Sequence, residues 1–141
     1  MYQILPNLYI GGADASENTE YLKKNGINHV INCAEEIRVC HDAPILSWNY
    51  AFEDSPFFPI HAYFSETSNL IHGILSKPNN KVLIACAMGI NRSMSILCAY
   101  LFSIARENVT MNDIIDEIAD VRRSCMLTNN SFYRQLINLK R

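Results

Sequence analysis

A cysteine and an arginine stand six positions apart where a predicted strand meets a predicted helix. Residues 81–85 (KVLIA) are typical of a buried strand, and the apolar stretch 93–106 predicts a helix. Between them lie Cys86, five uncharged residues and Arg92. A cysteine thiolate can attack phosphorus, and the planar guanidinium of arginine can bind two phosphate oxygens at once. This spacing therefore indicates covalent catalysis on a phosphate ester, with Cys86 as the nucleophile and Arg92 as a phosphate ligand.

The loop between these two residues has the composition of a phosphate cradle. A loop that joins a strand to a helix N-terminus directs backbone N–H groups to one point, where the helix dipole favours negative charge. The same field favours the thiolate form of Cys86, and Gly89 permits a backbone turn that a side chain would obstruct. The alternative, a structural cysteine beside a surface arginine, is disfavoured by the strand, glycine and helix around the motif. Besides Arg92, we expect the phosphate-binding residues to be Ala87, Met88, Gly89, Ile90 and Asn91.

The segment around Cys86 resembles the signature loop of the protein tyrosine phosphatases. Arg92-Ser93 followed by 99–102 (AYLF) is similar to the dual-specificity branch of that family. Three other segments carry the resemblance, namely 4–11 (ILPNLYIG), 27–34 (INHVINCA) and 130–136 (NSFYRQL). The resemblance covers nearly the whole chain, and the chain's brevity makes it most similar to the compact vaccinia-type members. It implies one catalytic domain over residues 1–141 that acts on phosphorylated proteins.

Asp54 is the carboxylate that the resemblance assigns as the general acid. It lies in the segment 53–59, which breaks the apolar periodicity before a helix predicted over 60–76. By resemblance, Asp54 protonates the leaving group and later acts as the base for the water that hydrolyses a phosphocysteine. Glu53 is its neighbouring competitor, and the alternative for Asp54 is a solvated loop carboxylate. Ser93 is expected to hydrogen-bond the departing thiolate, to cap the following helix, or to do both.

Ala85 departs from the family, which ordinarily has a histidine before the nucleophile. An alanine removes a hydrogen-bonding side chain from the loop, so we expect weaker activity. The departure keeps open a second interpretation, a pseudophosphatase that binds phosphorylated partners without hydrolysing them. A third interpretation is an RNA 5′-triphosphatase, because some superfamily members with similar loops act on RNA ends. Net acidity and the lack of a basic, aromatic-rich stripe disfavour that interpretation.

The loop and its surroundings also bear on the substrate. Residues 87–91 are uncharged, which disfavours a lipid head group with several phosphates and favours phosphotyrosine, phosphoserine or phosphothreonine in proteins. Arg122 and Arg123 are candidates to bind a second phosphate, with an exposed helical face as the alternative. Asn91 and Asn130 are candidates to support the loop through amide hydrogen bonds, although surface positions explain them as well.

Composition limits the remaining classes of function. The chain has 141 residues, 49% of them hydrophobic, and a net charge of −2, which predicts one globular domain and disfavours nonspecific nucleic-acid binding. No apolar run approaches the roughly 20 residues of a membrane-spanning helix, and the first residues do not form a secretory signal. Five cysteines without a CxxC pair predict reduced thiols in a cytoplasmic protein. No metal-ligand spacing occurs, so neither a metal nor another cofactor is expected.

Strands that alternate with helices predict an α/β fold with a mostly parallel central sheet flanked by helices. Besides 81–85, the predicted strands are 8–10, 27–33 and 45–52. The predicted helices are 14–25, 60–76, 93–106, 111–123 and 130–139.

Overall fold

A five-stranded sheet forms the centre of the computed structural model, which describes residues 1–123 and 125–140. The strands are β1 (Tyr2–Leu5), β2 (Leu8–Gly11), β3 (His29–Asn32), β4 (Leu46–Asn49) and β5 (Val82–Ala85). Their order in the sheet is β1-β2-β5-β3-β4, with β1 antiparallel to β2 and every other neighbouring pair parallel. The predicted α/β class with a mostly parallel sheet is therefore confirmed.

Six α-helices and one 3₁₀ helix surround the sheet in the described part of the chain. They are α1 (Ala13–Glu17), α2 (Thr19–Lys24), the 3₁₀ helix Ile60–Tyr63, α3 (Phe64–Leu75), α4 (Arg92–Ile104), α5 (Met111–Arg122) and α6 (Asn130–Ile137). Helix α4 packs on β5 and β2 and contacts α3, α5 and α6, whereas α1 contacts β2 and β5. No helix within residues 1–123 and 125–140 has the length and apolarity to span a membrane.

The apolar residues of β5 divide between two core clusters because side chains of a strand point alternately to opposite faces. Val82 and Ile84 belong to the larger cluster, which includes residues of α3, α4, α5 and α6. Leu83 and Ala85 belong to the smaller cluster, which includes residues of β2, β3 and the segment around α2. All four residues are fully buried, so packing on both faces of the sheet holds β5 in place. The position of β5 in turn sets where the following loop begins.

The register of the parallel strands brings several chain segments to one edge of the sheet. The last residue of β5, Ala85, lies opposite Gly11 of β2 and Asn32 of β3. The segments that follow these three strands therefore leave the sheet side by side, as expected at the carboxyl edge of a parallel sheet. Cys86 leaves this edge directly, so the loop that begins there is flanked by the segments after β2 and β3.

Several predictions about secondary structure were wrong in detail, among them the strand predicted over 45–52, which spans only Leu46–Asn49. The helix predicted over 14–25 is two helices, because Asn18 has an extended backbone and its side chain accepts a hydrogen bond from Tyr21 N, which caps α2. The helix predicted over 60–76 begins as the 3₁₀ helix, and α3 ends at Leu75. The strand β1 was missed. It is a short edge strand whose residues are largely exposed, so it lacks the apolar run that marks a buried strand.

Candidate active site

Cys86 lies almost fully buried at the start of the 86–92 loop, with 3% of its surface exposed. Its Sγ atom is 3.1 Å from Ser93 Oγ and accepts a hydrogen bond from Gly89 N at 3.2 Å. Hydrogen bonds to the charged form of a group favour that form. The two contacts can therefore stabilise a thiolate on Cys86, both before an attack and when the sulfur is released.

The backbone of the loop has the geometry of an anion cradle. Among the described residues, Gly89 is the only one of 87–91 whose backbone N–H has a protein acceptor, and that acceptor is the sulfur of Cys86. Gly89 has a positive φ of 68°, and a Cβ at this position would lie 2.8 Å from the carbonyl oxygen of Gly11. Only a glycine fits both requirements. The loop leads directly into α4, whose N-terminus adds partial positive charge.

Arg92 is held by a carboxylate, Glu36, that no sequence motif indicates. Its Nη1 and Nη2 atoms donate to Oε1 and Oε2 of Glu36 at 2.6 and 2.7 Å, and Nη1 also donates to the carbonyl of Phe52 at 3.0 Å. Hydrogen bonding to Arg92 lowers the pKa of Glu36 to about 2, and the same bond raises the pKa of Arg92. The Nε atom of Arg92 is buried and has no protein partner among the described residues. This arrangement fixes the guanidinium and leaves its Nε–H available to donate to a ligand.

The signal for Glu36 is its position in the chain. It follows the carboxyl end of β3, and β3 is the parallel neighbour of the strand that ends at Cys86. A sequence argument that predicted this pairing could have placed Glu36 near the loop. The identity of its partner, 56 positions away, depends on the folded structure.

Asp54 lies beside the 86–92 loop, where two side-chain amides hold its carboxylate. Asn91 Nδ2 donates to Asp54 Oδ2 at 3.0 Å, and Asn129 Nδ2 donates to Asp54 Oδ1 at 2.9 Å. Asn129 Nδ2 also lies 3.0 Å from the carbonyl oxygen of Ser55. The structure therefore brings Asp54 to the same end of the molecule as Cys86. Within the described residues, the neighbouring Glu53 makes none of these contacts.

The structure separates the two roles considered for Ser93. Helix α4 begins at Arg92 with Asn91 at the N-cap position, so Ser93 lies inside the first turn and is not the cap. The capping alternative was wrong, because the helix starts one residue earlier than predicted. The hydroxyl of Ser93 instead lies against the sulfur of Cys86, and the residue is fully buried. Its position allows it to donate to that sulfur.

The prediction that Asn91 and Asn130 support the loop is correct for Asn91 and wrong for Asn130. Asn91 makes the predicted amide contacts, whereas its neighbour in the network is Asn129 and not the predicted Asn130. Arg122 donates to the backbone carbonyls of Met88 and Cys125 at 3.3 and 2.5 Å. These contacts give Arg122 a role in supporting the loop, and binding of a second phosphate by Arg122 or Arg123 stays a prediction.

The thiols around the site differ in their surroundings. Cys33 is fully buried, and desolvation, with the charge of Cys86 as a smaller cause, raises the pKa of its thiol well above the usual range. Burial likewise raises the pKa of Cys98 in α4 to about 12. Both residues therefore remain protonated at neutral pH. Within residues 1–123 and 125–140, no group of three or more His, Cys, Asp or Glu residues is arranged to hold a metal ion.

The comparisons with known proteins identify the family. The family model described as the dual specificity phosphatase, catalytic domain, matches residues 8–141. The chain therefore belongs to the dual-specificity phosphatase family, and the family predicted from the sequence is confirmed.

Individual relatives agree with this assignment. The chain is 31% identical to human dual specificity protein phosphatase 26 over 144 residues, which cover 99% of this chain and 66% of that protein. It is 32% identical to mouse dual specificity protein phosphatase 13B over 141 residues, or 95% of this chain and 69% of that protein. The chain thus spans about two thirds of the length of these curated relatives. The solved structure of DUSP15 matches with a TM-score of 0.87 and 27% identity, over 97% of this chain and 85% of that chain.

The names of these relatives also bear on the interpretations left open by the sequence. Both curated relatives are named as protein phosphatases, which agrees with the predicted enzyme class. The pseudophosphatase and RNA 5′-triphosphatase interpretations are not favoured. Ala85 is fully buried at the end of β5, in the core cluster opposite the one that contains Cys86. The weaker activity expected from this alanine stays a prediction.

Proposed function

We propose that this chain hydrolyses phosphate monoesters on proteins through a covalent phosphocysteine on Cys86. The observation that carries the proposal is the convergence of three groups at one edge of the sheet. The sulfur of Cys86 contacts two donors at the base of the loop, the guanidinium of Arg92 is fixed by Glu36, and Asp54 is joined to the loop through Asn91. A nucleophile, an anion ligand and an acid in this arrangement suit in-line displacement at phosphorus.

In the first step, the thiolate of Cys86 attacks phosphorus, and the bond from phosphorus to the leaving oxygen breaks. The loop amides and Arg92 bind the phosphoryl oxygens, where charge is concentrated in the transition state. The buried Nε–H of Arg92 suits this role because a phosphoryl oxygen would satisfy a donor that has no protein partner among the described residues. Asp54 transfers its proton to the departing oxygen, which leaves as a neutral alcohol or phenol.

In the second step, water attacks the phosphorus of the phosphocysteine. Asp54, now a carboxylate, accepts a proton from that water as the new oxygen–phosphorus bond forms and the sulfur–phosphorus bond breaks. The sulfur leaves as a thiolate, which the hydroxyl of Ser93 and the backbone N–H of Gly89 stabilise. The products are inorganic phosphate and the regenerated enzyme.

The substrate class that we propose is proteins bearing phosphotyrosine, phosphoserine or phosphothreonine. The uncharged side chains of residues 87–91 support a phosphate held mainly by backbone amides, without extra cations for a polyphosphorylated head group. We further propose that residues 1–141 act as one catalytic domain in the cytoplasm, without a metal or other cofactor. Neither nucleic acid nor membrane is proposed as a partner.

The test is hydrolysis of para-nitrophenyl phosphate and of phosphopeptides carrying each of the three residues, in the presence of EDTA. We expect turnover in the chelator, complete loss in Cys86→Ser, and phosphate release from phosphotyrosine and at least one aliphatic phosphoester. Turnover that persists in Cys86→Ser, or that requires an added metal, contradicts the mechanism. Turnover confined to triphosphate-ended RNA contradicts the substrate class.

A further inference from the structure

Asn129 joins three parts of the molecule that are distant in sequence. Its Nδ2 donates to Asp54 Oδ1 at 2.9 Å and to the carbonyl of Ser55 at 3.0 Å. Its Oδ1 accepts from Phe132 N at 3.2 Å and so caps α6, while its backbone N–H donates to Asn91 Oδ1 at 3.1 Å. One side chain therefore connects the loop that carries Asp54 with the N-terminus of α6, and its backbone connects to the residue before Arg92.

The contacts leave the carboxylate of Asp54 little freedom to rotate. Asn129 and Asn91 each bind a different oxygen of that carboxylate, so both oxygens have a fixed direction. Asn91 is itself held in place by Thr128 and by the backbone of Asn129. Asp54 is exposed and lies in a loop without regular secondary structure, so these amides are its main restraint among the described residues.

We infer that Asn129 is a positioning residue for the general acid. By fixing Asp54 Oδ1 and the adjacent Ser55 carbonyl, Asn129 orients the carboxyl group toward the leaving oxygen of a substrate bound over Cys86. The inference rests on the proposed role of Asp54 and adds to that role the N-cap residue of a separate element, α6. Because Asn129 contacts neither Cys86 nor Arg92 in the described structure, its effect should be confined to proton transfer.

The two functions of the Asn129 side chain can be separated by substitution. Serine and aspartate are both good N-cap residues, so Asn129→Ser and Asn129→Asp retain an acceptor for Phe132 N. Neither side chain can donate a hydrogen bond to the Asp54 carboxylate as the amide does. Serine is too short to reach it from the cap position, and ionised aspartate has no donor and adds a second negative charge. Asn18→Ser is the matched control, because Asn18 caps α2 through the same type of bond.

The assay compares two aryl phosphates whose leaving groups differ in basicity. The nitrophenolate of para-nitrophenyl phosphate leaves with little help from an acid, whereas the more basic phenolate of phenyl phosphate needs a proton. The measured quantity is kcat/KM, which reports the steps up to departure of the leaving group. Asp54→Asn, measured with the same pair, gives the pattern expected when the acid itself is removed. Thermal unfolding of every variant reports on the cap.

We expect Asn129→Ser and Asn129→Asp to lower kcat/KM for phenyl phosphate by about tenfold, with a change of less than about threefold for para-nitrophenyl phosphate. Asn18→Ser should change neither value. Equal losses on both substrates in the Asn129 variants, or no loss on either substrate, would overturn the inference. The proposed function would still stand if Asp54→Asn showed a selective loss with phenyl phosphate. If Asp54→Asn shows no selectivity, the role of Asp54 fails, and the inference about Asn129 fails with it.

Discussion

The ion pair between Glu36 and Arg92 gives a prediction that can be worked from the structure. Glu36 accepts two hydrogen bonds from the guanidinium, at 2.6 and 2.7 Å, and 51% of its side chain is exposed, whereas 6% of the Arg92 side chain is exposed. Replacing the carboxylate by an amide in Glu36→Gln removes the charge and one of the two acceptors. The guanidinium then loses its bidentate partner but remains in place through the carbonyl of Phe52.

The size of the effect follows from the strength of charge-assisted hydrogen bonds. Such bonds contribute roughly 1.5–3 kcal/mol each in buried settings, and solvent screening at a half-exposed carboxylate reduces this value. We therefore take about 1.5–2 kcal/mol as the loss of transition-state stabilisation, which corresponds to a roughly 10- to 30-fold fall in kcat/KM. Inorganic phosphate, a product that binds the same residues, should inhibit the variant more weakly by a similar factor.

The assay is kcat/KM for para-nitrophenyl phosphate in the parent, in Glu36→Gln and in Glu35→Gln. Glu35 is the adjacent exposed carboxylate and serves as the matched control for charge. A rise in kcat/KM for Glu36→Gln would refute the reasoning, because it would mean that Glu36 competes with the substrate for the guanidinium. An unchanged value would show that Glu36 does not orient Arg92 for catalysis.

The same pair makes a prediction about pH. The pKa of Glu36 is lowered to about 2 by its hydrogen bond with Arg92, so folding favours the ionised form. The stabilisation from this pair is then fully present above the ordinary pKa of a glutamate and is lost as the pH falls toward about 2. Glu36 therefore remains charged throughout an assay from about pH 5 to about pH 8. The ratio of kcat/KM between the parent and Glu36→Gln should accordingly be constant over that range, even where kcat/KM itself changes with pH.

Two further predictions concern the loop and the buried thiols. Gly89→Ala should lower kcat/KM by about a hundredfold, because its Cβ would lie 2.8 Å from the Gly11 carbonyl oxygen and the loop would have to shift. The control is Gly73→Ala, at a helix position with open space around it, which should leave kcat/KM unchanged. Equal effects of the two substitutions would contradict this explanation. Iodoacetamide at neutral pH should leave Cys33 and Cys98 unmodified in the folded protein, as read by peptide mass spectrometry, and labelling of either before unfolding would contradict their assigned burial.

The structural features around Cys86 that the sequence predicts correctly are contained in one continuous segment. The strand β5, the loop after Cys86 and the helix α4 follow each other directly, so periodicity, the glycine and the residue types could be interpreted together. The prediction for Gly89 has a direct structural counterpart in its positive φ and its close approach to Gly11. Local patterns suffice here because the requirements of the loop are local.

The parts that the sequence does not predict depend on contacts between distant segments. Glu36 reaches Arg92 only because β3 and β5 pair in parallel, and nothing in the local sequence distinguishes Glu36 from Glu35. The choice of Asn129 over Asn130 depends on which of two adjacent residues occupies the cap of α6. Both residues are asparagines and fit the cap equally well, so only the three-dimensional arrangement decides which amide meets Asp54.

The measurement that tests the central claim most directly is the capture of the covalent intermediate. The protein would be mixed with para-nitrophenyl phosphate, denatured rapidly at mildly alkaline pH during turnover, where a sulfur–phosphorus bond survives, and digested, and the peptides analysed by mass spectrometry. The mechanism predicts a phosphoryl group on the peptide that contains Cys86, and its absence from the same peptide in Cys86→Ser. A phosphoryl group on another residue, or turnover by the Cys86→Ser variant, would contradict the assignment of Cys86 as the nucleophile.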